Sequence, residues 1–149
     1  MPFAPDRSGA WGLDPSVLEV QCYTDRYSYA PGETLRLRAS STAASISIEI
    51  VRDLPDPAVV HTAAAVRCGA HGVPARCYER GCGWPICYEL PLPADWRSGF
   101  YLIRCTAEDG DGGEFTAVHF FVLRRAAHEA VQADLVVVLA TSTWTAYNE

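Results

Sequence analysis

Between residues 18 and 124 apolar and polar positions alternate in short bursts, and turn residues separate the bursts. A period of two places every second side chain on one face of an extended chain, the pattern of a half-buried β-strand. "LEVQCYT" (18–24) sets Leu18, Val20 and Cys22 against Glu19 and Gln21; "TLRLRAS" (34–40) sets Leu35, Leu37 and Ala39 against Arg36 and Arg38; "SISIEIVRD" (45–53) has Ile46, Ile48 and Ile50 in phase. Pro31 and Gly32 in "YAPGE" (29–33) supply the fixed and the positive dihedral of a type II turn. Beyond the breaker-rich "LPDPA" (54–58) come a weaker strand near "VVHTAAAV" (59–66), a long loop through "RCGAHGVPARCYERGCG" (67–83) and strand-like "WPICYELPLP" (84–93). Ser98 and Gly99 turn into a strong strand, Phe100 to Ala107, and "EDGDGGE" (108–114) makes a hairpin into "FTAVHFFVLR" (115–124). Seven strands and no helix predict an all-β, immunoglobulin-like antiparallel sandwich over residues 18–124, after an N-terminal extension at 1–17.

The pattern changes after Arg125. "RAAHEAVQAD" (125–134) has helix formers without an apolar stripe and reads as a linker. "LVVVLA" (135–140) is apolar at every position, as expected of a strand buried on both faces in a parallel α/β sheet. Residues 135–149 therefore read as the start of a truncated α/β catalytic domain. In such sheets ligands gather beyond the carboxyl ends of the strands. "TSTWTAYNE" holds that position, which makes Thr143, Trp144, Tyr147 and Asn148 candidate site-lining residues, although Trp144 and Tyr147 taken singly could equally well pack.

Composition narrows the partners. The 149 residues carry a net charge of −6, and no Lys or Arg cluster offers a nucleic-acid backbone a footing. No stretch reaches the roughly 18 apolar residues that span a bilayer, and the start has no signal-peptide pattern, so the expected location is the cytoplasm. Reduced thiols are then the default for the six cysteines. Cys22 and Cys105 fall in strands at apolar positions, either as small hydrophobes or as a buried disulfide. A zinc site would draw on Cys68, His71, Cys77, Cys82 and Cys87, but their spacing is wider than the usual knuckle and favours loop and core thiols. His61 and His119 fall in strands as hydrogen-bonded structural residues, and His128 in the solvated linker. No G-x-S-x-G, phosphate-binding glycine loop or H-E-x-x-H occurs, which favours a non-catalytic module up to residue 134.

In order, "YSYAPGETLRLRAS", "SISIEIVRD", "YERGCGWP", "DWRSGFYLIRCTA", "HFFVLR" and "VVVLATSTWTAYNE" resemble the N-terminal portion of the large (beta) subunit of N,N-dimethylformamidase and its relatives. The resemblance implies a hydrolase of small N-substituted formamides that releases formate and an amine. It also implies a β-sandwich ahead of a larger α/β domain, and a mononuclear iron held by two tyrosines and a glutamate. Those ligands belong to the part of the family pattern downstream of "TWTAYN", so no metal ligand is carried over here, neither Tyr147 nor Glu149. The expected partners are the rest of the catalytic domain, a small helper subunit and further copies in a homo-oligomer. The rival expectation is a free-standing module whose exposed Trp84 and Trp96 hold a carbohydrate or a protein.

Overall fold

In the computed structural model, which describes residues 13–125 and 138–141, the alternating segments become strands of two sheets. β1 (Val20–Thr24), β3 (Thr34–Ser41) and β6 (Ile86–Pro91) form the smaller sheet in the order β1-β3-β6. β2 (Ser28–Tyr29), β4 (Ser45–Arg52), β5 (Ala58–Arg67), β7 (Gly99–Glu108) and β8 (Glu114–Leu123) form the larger one in the order β2-β8-β7-β4-β5. All seven expected strands are present, and the chain is an all-β sandwich of immunoglobulin-like build.

The eighth strand, β2, was read as part of a turn, and it pairs parallel with β8 through Ser28 opposite Val122 and Tyr29 opposite Leu123. The sandwich is thus not wholly antiparallel. Its opening strand is divided: β1 pairs antiparallel with β3 in one sheet, then the chain crosses and β2 closes the edge of the other. The Pro31–Gly32 turn returns it, with Gly32 at φ 83° and the Glu33 N–H donating to the Ala30 carbonyl at 3.1 Å. In the loop expected to be irregular, a single helical turn, α1 (Cys77–Arg80), precedes Gly81. Val138, Leu139 and Ala140 of the apolar run form no strand, while residues 126–137 and 142–149 lie outside the described residues.

The alternation accounts for the core. Leu35, Leu37 and Ala39 of β3 face Ile46, Ile48 and Ile50 of β4 and Tyr101, Ile103, Cys105 and Ala107 of β7, all of them buried. Each large aliphatic side chain removed from water in this way contributes about 1.5–3 kcal/mol. An aromatic column crosses the same region: Tyr29 meets Phe121 edge-on at 5.7 Å, Phe121 stacks on Tyr101 at 5.1 Å, and Tyr101 stacks on Trp96 at 5.4 Å. The Tyr101 hydroxyl donates to the Arg97 carbonyl at 2.5 Å, which ties the start of β7 to the turn before it in the manner of a tyrosine corner.

The long edge strand β5 alternates poorly because most of it is exposed. Its pairing with β4 shifts register twice, between Ile46 and Ile48 and between Ile50 and Val51, and Ala65 in the first shift has φ 53°. The β7–β8 hairpin is pinned by Asp109, whose carboxylate accepts the Asp111 and Gly113 N–H groups at 2.9 and 2.7 Å. Those acidic turn residues serve backbone geometry, as their pattern suggested.

Removal of one hydroxyl tests the corner. Tyr101→Phe keeps the stacking and leaves the Arg97 carbonyl without its partner, so chemical denaturation should show a loss of about 1.5 kcal/mol. Tyr88→Phe, at a half-buried bond to His61, should cost less.

Candidate functional site on the outer face of the larger sheet

The first half of β7 and the second half of β8 are apolar on both faces. Phe100, Leu102, Val118 and Phe120 fall out of phase with the core residues and so project from the outer face of the larger sheet. A half-solvated sheet would carry polar groups there. Instead Phe100 stacks on Phe120 at 5.1 Å, Tyr27 stacks on Phe120 at 5.4 Å, and Val51, beside Leu102 in register, is 1% exposed. Leu139, Ala140 and Thr141 lie over this surface and with Phe100, Leu102, Val118 and Phe120 enclose a cavity of about 340 Å³. Residues 139–141 and the sandwich thus meet on this face.

His119 stands at its margin, and its Nε2 lies 3.0 Å from Thr24 Oγ1 on β1. The Thr24 hydroxyl gives its own proton to the Arg26 carbonyl at 2.7 Å. It therefore accepts at the other end, so His119 carries its proton on Nε2. Burial pushes the imidazole pKa down to about 4, which leaves the ring neutral at neutral pH. His61 bonds the Tyr88 hydroxyl at 2.8 Å. Both histidines take the structural role expected of them.

The five proposed zinc ligands divide. Cys68, His71 and Cys87 line a separate cavity of about 270 Å³ at the end of the sandwich, with Arg67 and Ile86. Cys77 and Cys82 instead neighbour one another, and burial, then the Cys77 thiol, raise the Cys82 pKa. Among the described residues no three His, Cys, Asp or Glu side chains are grouped so as to hold a metal ion. The four cysteines at 22, 68, 87 and 105 do approach one another, from β1, the end of β5, β6 and β7, since each of the other three raises the Cys105 thiol electrostatically.

Thr143, Trp144, Tyr147 and Asn148 lie outside the described residues, and so does His128. Trp84, expected on the surface, is 4% exposed; its indole N–H donates to the Gly72 carbonyl at 2.9 Å, and the Arg38 guanidinium donates to the Trp84 carbonyl. Trp96 is engaged in the aromatic column. These two side chains are packing elements, because the loop folds back over one and the β7 corner covers the other. Sequence reasoning missed the outer-face set. Its signal was present in "GFYLI" and "HFFVL", where apolar residues occupy both phases of strands read as one-sided.

Fold and site together define a two-sheet immunoglobulin-like module with an apolar outer face. The sequence model of the family described as "N,N-dimethylformamidase beta subunit-like, C-terminal" matches residues 55–149, and the chain belongs to that family. The description places the match in a C-terminal region, which corrects the expected N-terminal assignment. The match begins between β4 and β5, so the boundary falls inside the sandwich. No curated protein matches the chain. Among solved structures it is similar to Spo0M, a sporulation control protein from Bacillus subtilis, at 13% identity and TM-score 0.48 over 74% of this chain and 50% of that one. It is also similar to murine CRIg at 16% identity and TM-score 0.47, over 72% of this chain and 98% of that one. The chain spans half the length of the Spo0M chain it matches.

The buried neutral histidine makes stability depend on pH. Its folded pKa lies below its unfolded value of about 6.5, so the unfolded state takes up a proton first as pH falls. Stability is then lost from about pH 6.5 down to about pH 4, by about 3 kcal/mol for this one group. His119→Gln should flatten that part of a pH series of denaturation curves, and a profile identical to the wild type would refute the assignment.

Proposed function

We propose that this chain is a non-catalytic sandwich module of a dimethylformamidase-like amide hydrolase, a covering and assembly element beside an α/β catalytic domain. The observation that carries the reading is the family match running from β5 through the last residue, across a sheet face already touched by Leu139–Thr141. A sheet region apolar on both faces is suited to burial between two layers. The parent reaction would be hydrolysis of a formamide C–N bond to formate and an amine. The iron expected of such enzymes would be held by two tyrosines and a glutamate of the catalytic domain, and this reading gives the described residues no metal-binding role. In this reading the work of the chain is packing. The remaining catalytic domain, a helper subunit and further copies are its partners in this reading, in a cytoplasm that keeps its six free cysteines reduced.

Two measurements test it. The purified chain, supplied with ferrous or ferric iron and N,N-dimethylformamide, should release no formate above an iron-only blank; turnover would overturn the non-catalytic role. The α/β region of a family member, added in trans, should bind the chain, and Leu102→Asp should weaken that binding about tenfold or more. Equal binding by the variant would remove the outer face from the interface.

A further inference from the structure

The thiol of Cys105 is fully buried on β7, and no role described so far uses it. Its partner follows from register. Thr24 on β1 bonds His119 on β8 across the two sheets. β1 leads into β2, which runs parallel to β8, so one inward step back along both strands sets Cys22 over Ala117. Ala117 is directly opposite Cys105 in the β7–β8 ladder. Alanine is too short to fill that space, and Cys22 packs against the core cluster to which Cys105 belongs. Each residue belongs to a different sheet.

We propose that Cys22 and Cys105 are a modification site, an inter-sheet dithiol that closes to a disulfide by exchange with a small-molecule disulfide of the glutathione class. One S–S bond forms between the two residues while the S–S bond of the reagent breaks. The two thiols lose two protons and two electrons, and the reagent leaves as two thiols. Closure would join the sheets covalently across a loop of more than half the chain, which constrains the unfolded state.

Thiolate is the attacking species in such exchange. The neighbouring Cys22 thiol, and then burial, raise the Cys105 pKa, and burial pushes Cys87 up to about 11. The folded pair is therefore slow to react at neutral pH, and closure belongs to the folding reaction, before the sheets shut out the reagent. The resulting bond would report the redox balance under which each molecule folded. In a reducing cytoplasm it stays open, and it closes when the disulfide pool rises.

The test is to refold the full chain from denaturant in a buffer of reduced and oxidised glutathione, block free thiols, and digest with trypsin. Cys22 is the sole cysteine of peptide 8–26 and Cys105 of peptide 105–124. The expected result is a cross-link between these two peptides that a reductant removes. A Tm about 10 °C above that of the reduced protein should accompany it. Cys22→Ser should lose both the cross-link and the gain in Tm; should that variant not fold, Cys105→Ala serves the same comparison. Recovery of the two peptides separately and alkylated would overturn the proposal, as would linkage of 105–124 to 68–76 or 81–97, or a lower Tm on oxidation.

Discussion

A column of four rings ties three strands of the larger sheet to the corner before β7. Tyr29, Phe121, Tyr101 and Trp96 come from β2, β8, β7 and the turn before β7, so one column fixes an edge strand, two central strands and a corner. Such ring pairs gain about 0.5–1.5 kcal/mol beyond the area they bury. Their polar ends are satisfied as well: Tyr101 donates to Arg97, and Tyr29 donates to Asp25, which also lies near the Arg26 and Arg36 guanidiniums. Burial and the hydrogen bond to that carboxylate raise the Tyr29 phenol pKa. The hydroxyl stays protonated and the bond persists across the physiological range.

From this column follows the divided first strand. Tyr29 can occupy its buried place only if the chain leaves β3 after Thr24 and lies along β8. That crossing brings β1 above β8 and β7, where Thr24 meets His119 and Cys22 meets Cys105. The neutral histidine and the facing thiols are therefore products of one topological event. Both concern the joint between the sheets, and His119 also borders the outer-face cavity.

Strands with one wet face and one dry face were legible in the sequence. β3 and β4 announce themselves through Leu35, Leu37, Ile46, Ile48 and Ile50, and the turns through Pro31–Gly32 and Asp109. Two kinds of feature were not legible. β2 has only two residues, and its parallel pairing depends on a strand more than 90 positions away. The grouping of cysteines 22, 68, 87 and 105 likewise arises from tertiary packing, and no linear spacing encodes it. The outer face lay between these cases: Phe100, Leu102, Val118 and Phe120 were visible as apolar residues, but alternation assigns each strand one buried face and hides a second. Trp84 shows the opposite error, because a tryptophan in a glycine-rich loop reads as a surface ring until the loop is seen folding over it.

The two register shifts in β5 acquire meaning from where that strand lies. A straight, uncharged edge of ten residues would offer a continuous row of N–H and C=O groups to any extended peptide. The shifts near Ala65 and Val60 break that row into short pieces, and a foreign strand could match only one piece at a time. A left-handed alanine is an unfavourable conformation to maintain, at about 1–2 kcal/mol. Here it works as insulation: a small loss in the fold's own stability guards the exposed margin against growth by edge-to-edge addition.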